Sequence, residues 1–187
     1  VSLSSALEVE SGSIIYPGKG NHWVFAPIIL EIEKELIAIT ARWDLIPHWW
    51  KKPLVDKKFS TFNTRTETIL EKASFRDAWR RGQRCIIPVR SFFEWPDKKL
   101  VTDEKEKTNR QRYRIQLKDG QTMFLAGIYE KLSTPVNGCN YSFSILTMEA
   151  NSIMKTIPHS RMPIILLPNQ LKEWLPVNVS FLDAQKL

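Results

Sequence analysis

Cysteine is scarce: Cys85 and Cys139 are the only two in 187 residues, and neither stands in a C-x-x-C pair or a Cys/His cluster. A thiolate zinc site is therefore not expected. Cys85 lies in the apolar run RCIIPV, where a free cysteine serves as a small core residue, and a reducing compartment, the bacterial cytoplasm, is the expected location. There is no Gly-rich phosphate loop and no internal repeat. No apolar run approaches the roughly 18 residues needed to span a bilayer. No basic segment leads into an apolar stretch at the start, so neither a signal peptide nor a membrane partner is read. Acidic residues are in deficit, 20 against 27 basic ones, which leaves a net charge of +7. That balance favours an anionic partner, nucleic acid first. Hydrophobic content of 43% and charged content of 25% are ordinary for a globular protein. The length fits one domain with a substantial core.

The chain is rich in short runs of β-branched and aromatic residues. WVFAPIIL (23–30), ELIAITARW (35–43), RCIIPV (84–89), RYRIQL (112–117), MFLAGIYE (123–130), YSFSILTM (141–148) and PIILL (163–167) read as strands. Asp119-Gly120 between two of them predicts a type I′ hairpin. Helices are fewer and short. SFRDAWRRG (74–82) has Ser74 in the N-cap position and Gly82 past the end. TETILEKA (66–73), EANSIMKTI (149–157) and SFLDAQKL (180–187) read as further short helical pieces. The charged stretch 97–112 reads as a solvated loop. The expected fold class is α+β, a single domain around a curled antiparallel sheet.

Three constellations carry possible chemistry. In RWDLIPHWWKK (42–52), Trp49 and Trp50 are adjacent, so their rings point different ways and both cannot be core. Beside Lys51 and Lys52 they offer a stacking face for bases and charge for phosphates; the other reading is one core and one interface tryptophan. In FNTRTE (62–67), Asn63 both donates and accepts hydrogen bonds, and Arg65 shares its face if the segment is extended; the other reading is a polar loop. The third joins Glu94, set among aromatics in SFFEWP, with His159 and Arg161 in IPHSRMP (157–163). A carboxylate among aromatics has a raised pKa and can carry a proton near neutrality. Alternatively Glu94 faces solvent while Phe93 and Trp95 face the core.

In order, WDLIPHWW (43–50), NTRTET (63–68), EKASFRDAWRRGQRCIIPVRSFFEW (71–95), AGIYE (126–130), TMEAN (147–151) and HSRMPIIL (159–166) resemble the motifs of the SOS response-associated peptidase (SRAP), or abasic-site-processing, family. The resemblance runs from about residue 43 to 176 and implies a barrel-like sheet with a few short helices. It also implies binding of single-stranded DNA at abasic sites and a covalent thiazolidine formed by an N-terminal cysteine, with self-cleavage of a leader in precursors. Only an N-terminal cysteine offers an amine and a thiol on one residue. The motif matches assign Asn63, Glu94 and His159 to catalysis. They assign Trp49, Trp50, Lys51, Arg65 and Arg161 to DNA. No metal or organic cofactor is called for, and a monomer is expected.

The chain departs from the family pattern at several places. It opens VSLSSALEVE rather than Met-Cys-Gly-Arg, so the family cysteine and the C-terminal strand are expected to lie outside residues 1–187. Asp44 and Ser91 replace family glycines, Ser160 replaces the acid beside the histidine, and Ala73 replaces a basic residue found in some members. The alternative reading is a non-covalent single-stranded DNA-binding module; a thiol hydrolase acting on peptides is a third.

Overall fold

The computed structural model of the protein describes residues 7–11, 25–97, 100–101 and 111–175. They fall into two compact units. The first draws on Val1–Tyr16, Val89–Met123 and Met148–Met162, the second on Pro17–Pro88, Phe124–Thr147 and Pro163–Leu187. The strands in chain order are β1 (Leu7–Ser11), β2 (Phe25–Ile32), β3 (Glu35–Trp43), β4 (Asn63–Arg65), β5 (Arg84–Val89), β6 (Ser91–Glu94), β7 (Tyr113–Leu117), β8 (Met123–Val136), β9 (Cys139–Glu149), β10 (Arg161–Pro163) and β11 (Ile165–Leu166). The helices are α1 (Ala73–Arg80), α2 (Ser152–Thr156) and α3 (Leu171–Trp174). The α+β class expected from the sequence is the class observed.

The second unit is a closed barrel. β2 pairs with β3, β2 with β5, β5 with β8, β8 with β9, and β9 returns to β3. Closure removes the open edges that a curled sheet would otherwise expose. The closing pair, Arg42↔Ser142 and Trp43↔Phe143, is parallel. The same edge of β9 then takes β4, also in parallel, at Asn63↔Ile145 and Arg65↔Thr147. Residues 44–62 are thus an excursion that leaves β9 and rejoins it. Asp44 N donates to Phe143 O (3.2 Å) at the start, and Ile145 N donates to Phe62 O (3.0 Å) at the end.

The core of this unit follows from spacing. In α1 the buried residues are Phe75, Ala78 and Trp79, one face of a helix at i, i+3 and i+4. Trp79 and Trp174 lie 6.0 Å apart, and Arg84 covers both rings. The Trp174 indole N–H donates to Cys85 O at 3.0 Å. Burial of each side chain of this kind stabilises by about 1.5–3 kcal/mol. Gly127 leaves no room for a side chain in β8: a Cβ there would lie 2.4 Å from Ile87 Cδ1 and 2.9 Å from Cys85 Sγ.

The first unit is built on a three-stranded antiparallel sheet, β1-β7-β6. Phe92 is paired with the fully buried Ile115, and Glu94 with Tyr113. β6 ends at Glu94, and Pro96, which has no N–H, follows closely.

Three local expectations are corrected. Asp119-Gly120 does form a turn, with Gly120 N donating to Leu117 O, but β7 pairs with β1 and β6, and β8 with barrel strands. The chain changes sheets there instead of folding back. The tight hairpin is at Asn137-Gly138, where both residues take positive φ (49° and 80°) and Val136 pairs with Cys139, as a type I′ turn requires. Ser74 is not the N-cap of α1: that position is Lys72, which makes no side-chain cap bond. By contrast Asn151 caps α2, its side chain accepting from Met154 N. The segment 66–73 is a short 3-10 turn, Thr66–Thr68, before α1. The helix read at 180–187 and most of the charged stretch 97–112 lie outside the described residues.

Candidate functional site

Glu94 and His159, 65 positions apart, meet in the first unit. His159 Nε2 lies 3.2 Å from Glu94 Oε2, with side-chain exposures of 15% and 23%. His159 Nδ1 lies 2.8 Å from Trp95 O. A carbonyl only accepts, so Nδ1 carries a hydrogen and donates. Nε2 then either accepts from a protonated Glu94 or donates to an ionised one. In both cases a single proton is shared between the two groups. Burial, and then the charge of Asp97, push the Glu94 carboxyl up to about 7, against a backbone hydrogen bond from Trp95. A carboxyl so placed changes protonation in the range where a general acid–base group is most useful. Of the two readings of SFFEWP, the solvent-facing one does not hold: no residue from Ser91 to Asp97 is exposed, and the Glu94 side chain is partly shielded.

The turn that carries His159 is tied down by Asp97. Asp97 N donates to Pro158 O at 2.8 Å, Ser160 N donates to Asp97 Oδ2 at 3.2 Å, and Ser160 Oγ bonds the same oxygen. Ser160, which stands where the family pattern has an acid, is thus bonded to an acid from elsewhere in the chain, Asp97. In the sequence Asp97 reads as the start of a charged loop, and its position directly after Glu94-Trp95-Pro96 is the signal that ties it to the site. Arg161 opens β10 in the same unit and is partly buried.

The other candidates belong to the second unit. β4 places Asn63 and Arg65 on one exposed face with Thr64 buried between them, as the two-residue period of a strand predicts. Thr64 Oγ1 is 2.7 Å from Ser144 Oγ and anchors the strand. Trp49 is 41% exposed and Lys51 is exposed. Trp49 stacks on Phe59 at 6.2 Å, and Trp50 meets the same ring edge-on at 5.4 Å. The Trp49 indole N–H donates to Ala73 O at 3.1 Å. Neither tryptophan is fully buried.

A second charged cluster went unread in the sequence. His48 Nδ1 is 3.5 Å from Glu130 Oε1, and its Nε2 is 3.9 Å from Asp77 Oδ2. Arg81 bonds Glu130 at 2.6 Å, and burial pushes that carboxyl up against the pull of Arg81. These contacts fasten the tryptophan turn to α1 and β8. Both cysteines are buried, and burial pushes the Cys85 thiol up, so Cys85 is not a reactive thiolate. Among the described residues, no group of three or more His, Cys, Asp or Glu is arranged to hold a metal ion. None of the described helices is long and apolar enough to cross a membrane.

Comparison with known proteins gives the family of the chain. The family described as SOS response associated peptidase (SRAP) matches residues 16–186, and the chain belongs to that family. It is 43% identical over 134 residues to the abasic site processing protein YoqW of Bacillus subtilis, covering 72% of this chain and 55% of that protein. It is 30% identical over 180 residues to the abasic site processing protein HMCES of Mus musculus, covering 81% and 48%. The chain thus spans about half the length of these relatives. A crystal structure of a protein from Bacteroides thetaiotaomicron superposes with a TM-score of 0.71 at 30% identity, over 87% of this chain and 67% of that one.

Proposed function

We propose that this chain is the core of an abasic-site processing protein that binds single-stranded DNA and captures the ring-opened sugar aldehyde covalently. The observation that carries the reading is the Glu94–His159 dyad with its one shared proton. Membership of the SRAP family and the relatives' names support the substrate class.

The chemistry needs a proton carrier at each step. The closed sugar opens when its hemiacetal hydroxyl gives up a proton and its ring oxygen takes one. The α-amine of an N-terminal cysteine then attacks the aldehyde carbon. The resulting carbinolamine loses water once its hydroxyl is protonated, which leaves an imine. The cysteine sulfur adds to the imine carbon as the nitrogen takes a proton, closing a five-membered ring. Aldehyde plus aminothiol thus become thiazolidine plus one water, and the dyad lends and recovers a proton at each stage. Cys85 and Cys139 do not substitute for the nucleophile, because both are internal and buried. Self-cleavage of a leader preceding that cysteine uses the same thiol. Asn63 orients the reacting groups by hydrogen bonds, Arg65 and Arg161 hold phosphates, and Trp49 and Trp50 stack on bases.

The test uses the full-length protein with its native N-terminus and single-stranded DNA carrying one abasic site. A heat-stable protein–DNA band on a denaturing gel is the expected result. Glu94→Gln is expected to slow its formation about 100-fold or more, with non-covalent affinity nearly unchanged. No covalent band, with binding intact on a native gel, would replace this reading with that of a non-covalent single-stranded DNA-binding module.

A further inference from the structure

β8 and β9 do not keep register along their whole length. Lys131 pairs with Tyr141 and Val136 with Cys139, so residues 132–135 stand opposite Asn140 alone. This bulge turns Ser133 and Thr134 to the surface, and bulges commonly re-aim side chains in this way. Facing it is the turn that follows Pro47. Between the two lies an open groove of about 770 Å³, lined by Trp50, Lys51 and Lys52 from the turn and by Lys131, Ser133 and Thr134 from the bulge. Three lysines line it and no carboxylate does.

We propose that this groove is a second binding stretch for the sugar-phosphate backbone of single-stranded DNA, separate from the lesion chemistry. The inference rests on the DNA-binding reading above and extends it from Trp50 and Lys51 to Lys52, Lys131, Ser133 and Thr134, which that reading does not use. The charge is of one sign, and ammonium groups serve phosphates as point charges. Ser133 and Thr134 add hydroxyl donors of the kind that bond phosphate oxygens without reading sequence. The ring of Trp50 supplies an apolar face for a neighbouring base. Lysine, hydroxyl and aromatic together fit a nucleotide chain. An acidic peptide would use the lysines alone.

The experiment is a salt titration of undamaged, dye-labelled single-stranded DNA by fluorescence anisotropy, with the full-length protein carrying Lys52→Ala and Lys131→Ala together. Each lost phosphate contact lowers the slope of log affinity against log salt by about 0.7, so the double variant is expected to lose about 1.4. At 0.1 M salt that corresponds to about 25-fold weaker binding. Lys172→Ala, a control on the exposed face of α3, is expected to leave the slope unchanged. An unchanged slope in the double variant, with tight wild-type binding, overturns the groove assignment and leaves the lesion site untouched. An equal loss in Lys172→Ala also overturns it, since the effect would then be general charge. Failure of the wild-type protein to bind single-stranded DNA at all would instead overturn the DNA-binding reading itself. Matching thermal melts and circular dichroism of all variants exclude unfolding as the cause.

Discussion

Asp44→Asn tests the physical reading of the excursion that carries the tryptophans. Asp44 takes φ +102°, a region that glycine adopts freely and other residues seldom do. What holds an aspartate there is its set of partners. Its carboxylate accepts from Arg42 Nη2 (2.9 Å), Lys57 Nζ (2.6 Å), Thr61 Oγ1 (2.6 Å) and Thr61 N (3.1 Å). The Arg42 and Lys57 side chains are only 2% and 4% exposed. Two buried cations therefore share this anion. Asparagine keeps the shape and tolerates positive φ, so the substitution isolates the charge. Removing one partner of a buried ion pair costs about 3–5 kcal/mol, which in a domain of this size lowers Tm by about 6–20 °C. The assay is thermal and urea unfolding at pH 7, followed by Lys57→Met added to Asp44→Asn, which removes one stranded cation and should recover part of the loss. The pH dependence has a definite sign. Burial pushes the Asp44 carboxyl up, but the bonds and charge of Lys57, with Thr61 and Arg42, outweigh it and hold it below the usual carboxylate range. A depressed folded-state pKa gives stability that is complete above the unfolded value of about 3.9 and is lost as pH falls through the folded one. The gap between wild type and Asp44→Asn should therefore close in acid. A loss under about 1 kcal/mol at pH 7, or a gap that persists at low pH, would refute the reasoning.

Other perturbations follow from the same geometry. Burial first and the charge of Asp97 second raise Glu94 to about 7, so Asp97→Asn should move the midpoint of the crosslinking pH–rate profile downward; an unmoved midpoint would leave Asp97 only its bonds to Ser160. Trp49→Ala should weaken single-stranded DNA binding by about 1–3 kcal/mol, measured by anisotropy at fixed salt, and unchanged affinity would take Trp49 off the DNA path. Gly127→Ala should lower stability by about 1–3 kcal/mol through overpacking, because its Cβ would meet Ile87, Cys85 and Ser144 O at 2.4, 2.9 and 3.0 Å; an unchanged melting temperature would mean that the barrel wall yields there.

What the sequence made legible was whatever depends on neighbours in the chain. Strand β5 has the limits read from RCIIPV, because an apolar run of that length states its own burial. Asn63 and Arg65 share a face because strand alternation is local. The misplaced hairpin shows the limit of that kind of inference. Asp119-Gly120 and Asn137-Gly138 are equal as turn signals, and both do turn the chain. Only the second has strands on either side that pair with each other, and pairing is settled by the whole sheet. Asp44 stands where the family pattern has glycine, and it takes a glycine-favoured φ, held by Lys57 and Thr61 from later in the chain. Glu94 shows the same dependence at the functional site. Among Phe92, Phe93 and Trp95 its carboxylate had two readings of comparable merit, solvent-facing or shielded. What separates them is His159, whose ring is fixed by Trp95 O and whose turn is fixed by Asp97. The side chain that gives Glu94 a proton to share is thus held in place by Glu94's own near neighbours in sequence, and the run SFFEWPD is better understood as one half of the dyad's frame than as a strand with a stray acid.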